Sequence, residues 1–220
     1  MCGRFSLIKA QQDLEHYYHH ELAGEGYRGP NYNVAPTQYA PVVTSDGLEM
    51  MKWGLIPQWA KDEKIAYSMI NAVGETVFEK PTYKKPIITQ RCLVPATGFY
   101  EWLKLGTDKI PQYFTIKDRE LFSFAGLFIT RKDVEGRELK TFTILTTTPN
   151  ELVAKVHDRM PVILSHDEEK EWIDPDRIEP ERISPLIDPY PANEMNMYAV
   201  DRRVGNIKNN SPELILPVQQ

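Results

Sequence analysis

Between residues 9 and 22 the apolar and aromatic side chains Leu14, Tyr17, Tyr18 and Leu22 recur at helical spacing, and Gly24 and Gly26 follow. This predicts an early amphipathic helix stopped by glycine. Residues 27–41 carry three prolines and several asparagines, which predicts a long irregular surface loop. Beyond that the pattern shortens. Residues 42–44, 48–53, 92–94, 99–103, 113–116, 121–128 and 141–146 are runs rich in β-branched and aromatic residues, most of them bounded by turn formers, and each predicts a strand. Residues 150–156 predict a short helix, and Ser165 with Glu168 three positions later is a capping box that opens another, running to Trp172. Prolines recurring over residues 174–193 predict a loop wrapped around the body. Many short strands with few helices between them point to an α+β fold, a mainly antiparallel barrel-like β core with a few peripheral helices. With no internal repeat or linker, residues 1–220 read as a single domain.

Composition narrows the function. The 220 residues are 41% hydrophobic and 26% charged, values of an ordinary soluble domain, and no apolar run is long enough to cross a bilayer. The start of the chain turns polar after Phe5 and lacks the pattern of a secretory leader, so a cytoplasmic location is expected. The two cysteines, Cys2 and Cys92, are far apart and suggest neither a disulfide framework nor a zinc knuckle. His16, His19 and His20 share one predicted helix but lack the glutamate of a zinc-protease helix, and neither a metal nor a cofactor is expected. A net charge of −5 argues against coating nucleic acid through a broad basic field. It leaves room for a local groove.

The sharpest chemical feature is Cys2. Removal of Met1, usual when the second side chain is small, leaves an α-amine and a thiol on one residue. An α-amine has a pKa of roughly 7.7–8.0, so roughly 10–20% is neutral and nucleophilic at pH 7. Such an amine forms a Schiff base with an aldehyde, and the neighbouring thiol can close a five-membered thiazolidine. Cys2 reads either as this nucleophile or as a small side chain buried in a first strand. Glu101, in Gly98-Phe99-Tyr100-Glu101-Trp102, is a carboxylate in an aromatic strand: facing inward it would be desolvated and titrate near neutrality, facing outward it would be ordinary. His157, in His157-Asp158-Arg159-Met160-Pro161, lies at the end of a predicted helix, as a proton-transfer group or a cap. Asn71, in Met69-Ile70-Asn71-Ala72, orients a substrate or makes a turn.

Together with Cys2-Gly3-Arg4-Phe5, Tyr32-Asn33-Val34-Ala35-Pro36, Trp53-Gly54-Leu55-Ile56-Pro57 and Val204-Gly205-Asn206, these segments resemble the SOS response-associated peptidase (SRAP) family in order and spacing over essentially the whole chain. The resemblance implies a protein that senses abasic sites in single-stranded DNA and forms a thiazolidine DNA–protein cross-link that shields the lesion. It implies Cys2 as nucleophile, Glu101 and His157 as the acid/base pair, and Asn71 as the residue that positions the N-terminus and the sugar. It assigns Arg4 and Arg159 to phosphate, Pro36, Trp59 and Trp102 to apolar surfaces beside the strand, and Asn33 and Thr146 to further DNA contacts. The peptidase of the family name would expose Cys2 by self-cleavage. Replication-associated protein partners are left unnamed. Where many relatives carry an arginine, this chain has Val73, which implies a weaker phosphate contact there. Two other functions start from the same residues: an N-terminal-cysteine glutamine amidotransferase, whose Asn-Gly and Gly-Asp elements the chain lacks, and a non-catalytic reader of modified bases.

Overall fold

The computed structural model describes residues 2–133 and 135–218. The described residues form fourteen strands, numbered in chain order: β1 (Phe5–Leu7), β2 (Leu22–Ala23), β3 (Asn31–Val34), β4 (Tyr39–Thr44), β5 (Gly47–Trp53), β6 (Asn71–Val73), β7 (Arg91–Ala96), β8 (Gly98–Leu105), β9 (Asp108–Ile116), β10 (Phe122–Lys132), β11 (Glu138–Thr147), β12 (Met160–Pro161), β13 (Ile163–Leu164) and β14 (Met195–Ala199). Five of them close a ring. β5, β4, β7, β10 and β11 pair antiparallel in succession, and β11 returns to β5 in parallel through Thr141 against Lys52 and Phe142 against Trp53. An odd ring cannot alternate direction throughout, so one joint has to be parallel, and it falls here. Beyond this joint β6 lies along the same edge of β11, Asn71 opposite Ile144.

A second, antiparallel sheet in the order β14-β9-β8-β1-β3 packs on the barrel. Phe5 of β1 meets Trp53 at 5.1 Å and Phe124 at 5.9 Å between ring centroids, and Phe99 stacks on Phe114 at 4.8 Å. Phe5, Phe99 and Phe114 from this sheet therefore share one apolar core with Trp53, Phe124 and Phe142 from the barrel, which makes the two sheets a single α+β domain.

The seven strands expected from residue 42 onward are all present. So is the capping box: Ser165 N–H donates to Glu168 Oε2 at 2.7 Å, and Glu168 N–H donates to Ser165 Oγ at 3.4 Å, opening the helix His166–Ile173. The proline-rich residues 174–193 are not an unbroken loop, since they hold the short helix Pro180–Ile183 and the 3-10 turn Ser184–Leu186, and three further expectations need correction. The first helix spans only Gln11–Tyr18, because His19 turns left-handed at φ 58°, and Leu22 pairs with Leu48 at the barrel edge. Residues 27–41 are no continuous loop, since Asn31–Val34 pairs with β1 and Tyr39 opens β4. Pro41 is tolerated there because β4 meets β7 only at Val43. Residues 150–156 contain just the 3-10 turn Val153–Lys155.

Candidate active site

The antiparallel register of β1 and β8 pairs Phe5 with Phe99, and Tyr100 N–H donates to Arg4 C=O at 3.0 Å. Counting on two residues brings the start of the chain alongside Glu101. Cys2 is fully buried at 0% exposure, and its carbonyl accepts from Asn71 Nδ2 at 2.9 Å. β6 places that amide, held against β11 by the parallel pairing described above. Asn71 Oδ1 is buried with no partner among the described residues, which leaves an acceptor for a substrate hydroxyl. Met1 itself lies outside the described residues.

Glu101 is 4% exposed. Burial pushes its carboxyl from the ordinary 4.5 up to about 7, and the Asp158 charge adds to the rise. Burial also drives the Cys2 thiol upward, with the Glu101 charge as the second cause, so the thiol is protonated at neutral pH. His157 leaves the turn Val153–Lys155, and burial holds its imidazole below the ordinary 6.5. Its Nδ1 accepts from Arg159 N–H at 3.0 Å. The neutral ring therefore carries its proton on Nε2, and the exposed Asp158 carboxylate, 3.0 Å from Nδ1, becomes an ion-pair partner only if the ring is protonated. A protonated thiol, a carboxyl that titrates near pH 7 and a neutral imidazole thus surround the first residues of the chain.

Two further groups adjoin it. Arg4 Nη1 donates to Asn33 Oδ1 at 2.6 Å and to Val204 C=O at 2.7 Å, with the guanidinium 5.9 Å from the Trp102 ring centroid. Asn33 Nδ2 is shared among the carbonyls of Val204, Asn206 and Asn209 at 3.2, 3.1 and 2.8 Å. Arg4 and Asn33, expected to touch DNA, are thus buried ties between β1, β3 and the C-terminal segment. On the other side Arg159 reaches Thr146 C=O at 2.6 Å and Glu75, an acid that no motif along the chain singles out. Thr146 is buried, Pro36 sits half-buried in the turn after β3, and Trp59 presents a 65% exposed indole on a loop. Cavities of about 600 Å³ lie elsewhere, around Lys9, Arg119 and Glu120. Among the described residues no three His, Cys, Asp or Glu side chains gather as a metal site.

Fold and site together define a small single-domain α+β protein that builds Cys2, Asn71 and Glu101 into a buried polar site. Residues 1–207 match the SOS response associated peptidase (SRAP) family, and the chain belongs to that family. It is 48% identical over 221 aligned residues to the abasic site processing protein YoqW of Bacillus subtilis (strain 168), covering 98% of this chain and 99% of that one. To the abasic site processing protein HMCES of Gallus gallus it is 32% identical over 235 residues, covering 90% and 69%. A crystal structure of a Bacteroides thetaiotaomicron protein superposes with a TM-score of 0.92 at 31% identity, covering 99% of this chain and 100% of that one.

Proposed function

We propose that this protein processes abasic sites in single-stranded DNA by joining the open-chain sugar aldehyde to Cys2, in the cytoplasm where the strand is exposed. The names of its relatives support abasic-site handling. The observation that carries the chemistry is the Asn71 bond to the Cys2 carbonyl beside a buried carboxyl that titrates at about 7. Once Met1 is gone, by aminopeptidase or by the self-cleavage the family name suggests, the Cys2 amine adds to the aldehyde carbon. Glu101 in its acid form protonates the departing hydroxyl, which leaves as water, and a protonated imine remains. The Cys2 thiol then adds to the imine carbon while the Glu101 carboxylate takes the thiol proton, and the imine nitrogen ends as the ring amine. One water is released, nothing is oxidised, and His157 is the second proton-transfer group.

The test is intact mass spectrometry after incubation with single-stranded DNA bearing one abasic site. The expected species is the chain without Met1 plus the oligonucleotide minus one water, stable to heat. Cys2→Ala should give none, and Cys2→Ser only a labile Schiff-base product. Full function of Cys2→Ala on DNA would sink the proposal in favour of a non-covalent reader.

A further inference from the structure

Arg159 leaves the His157 loop with its guanidinium already clasped. Nη1 donates to Glu75 Oε1 at 2.8 Å, and Nη2 donates to Glu75 Oε2 at 2.7 Å and to Thr146 C=O at 2.6 Å. An arginine has five N–H donors. Three are engaged in these bonds, and Nε is buried with no partner among the described residues. A single Nη1 hydrogen is left, so Arg159 cannot offer a paired fork to anything else while Glu75 stays. Two acceptor oxygens in the guanidinium plane are the geometry of a carboxylate and equally of a phosphate.

The backbone fixes where Glu75 stands. Val73 pairs with Thr146, and Gly74 packs so closely that an added Cβ would lie 2.3 Å from Ile187 Cγ2 and 3.1 Å from Thr146 C=O. Only the side chains can move apart. The Glu75 side chain is 42% exposed, so water can replace the guanidinium on its oxygens once the pair opens.

We infer that Glu75 holds the place of a backbone phosphate on Arg159, and that an entering strand must exchange with it. This rests on the reading that the site takes single-stranded DNA. The exchange weakens every strand alike. An intact strand, which has only non-covalent contacts, is released, whereas an abasic strand is retained by its bond to Cys2. Glu75 is thus a determinant of selectivity for the lesion.

The experiment measures binding of a fluorescent intact single strand by anisotropy for the wild type, Glu75→Gln, Arg159→Met and the double variant. Methionine preserves the apolar stem of residue 159. Glu75→Gln should bind about two- to fivefold more tightly at low salt, the range of a partly exposed ion pair, and the gain should vanish in the Arg159→Met background. Unchanged or weaker binding by Glu75→Gln overturns the inference. So does an equal gain without Arg159, which would mean general charge repulsion, and so does the absence of binding by all four forms. Cross-linking of an abasic strand by the wild type, read by mass, is scored separately. Its failure refutes the proposed function, whereas normal cross-linking with no gain from Glu75→Gln refutes only the role of Glu75.

Discussion

Replacing Glu101 with glutamine keeps the shape of the side chain and removes its titration. In the folded protein the carboxyl titrates at about 7, raised from 4.5 chiefly by burial. Between those values the folded state keeps a proton that the unfolded chain has released, so stability falls as pH rises through this window. The loss is complete above about pH 7 and reaches about 3 kcal/mol. For a chain of this length each kcal/mol moves the melting temperature by about 2–4 °C. Glu101→Gln has no such loss, so its melting temperature relative to the wild type should climb by about 6–12 °C between pH 4 and pH 8. Circular-dichroism melts at pH 4, 6 and 8 measure this directly. A gap that does not change with pH would show that burial does not perturb Glu101. The same variant should form the cross-link on the order of 10²-fold more slowly, and the wild-type rate should decline above pH 7 as the acid form is lost. A stabilised protein that has lost its chemistry is the joint signature.

Asn71→Ala removes the donor to the buried Cys2 carbonyl. It should cost about 1–3 kcal/mol in urea unfolding and slow cross-linking well below the melting temperature, and a wild-type rate would separate Asn71 from the chemistry. Asn33→Ala deprives Arg4 and three carbonyls of their shared partner. A loss of about 2–4 kcal/mol is expected, with new protease cleavage within residues 204–209; an unchanged digest would show that the tie holds nothing down. Gly54 has φ +114°, and a Cβ there would sit 2.5 Å from the Ala66 carbonyl oxygen. Gly54→Ala should therefore destabilise by about 2–4 kcal/mol, and an unaltered melt would contradict the close approach.

The strands legible in the sequence are those whose own residues carry the signal. β10 and β11 are long and rich in Phe, Ile, Leu and Thr, and the box at Ser165 is local chemistry. β1, β6 and β14 have three to five residues and exist because distant partners pair with them, which no window along the chain reports. β3 was hidden by composition: its asparagines look like loop formers, yet Asn33 is buried as a bonding hub. The candidates Cys2, Asn71, Glu101 and His157 come from the family's motifs, since their chain positions carry no geometry of their own. Glu75 and the ties of Arg4 to Asn33 and Val204 escaped for one reason. A charged side chain looks the same in sequence whether it faces solvent or another part of the chain.

The parallel joint of the barrel has a kinetic side. Two residue pairs join segments about ninety positions apart, and the next stretch of the same edge carries the strand that bears Asn71. Loop closure over such a separation is paid for late in folding, after the hairpins on either side have formed. The last seam to zip during folding is then also the one that seats the Asn71 amide against the Cys2 carbonyl, so that bond is not made until the ring is complete.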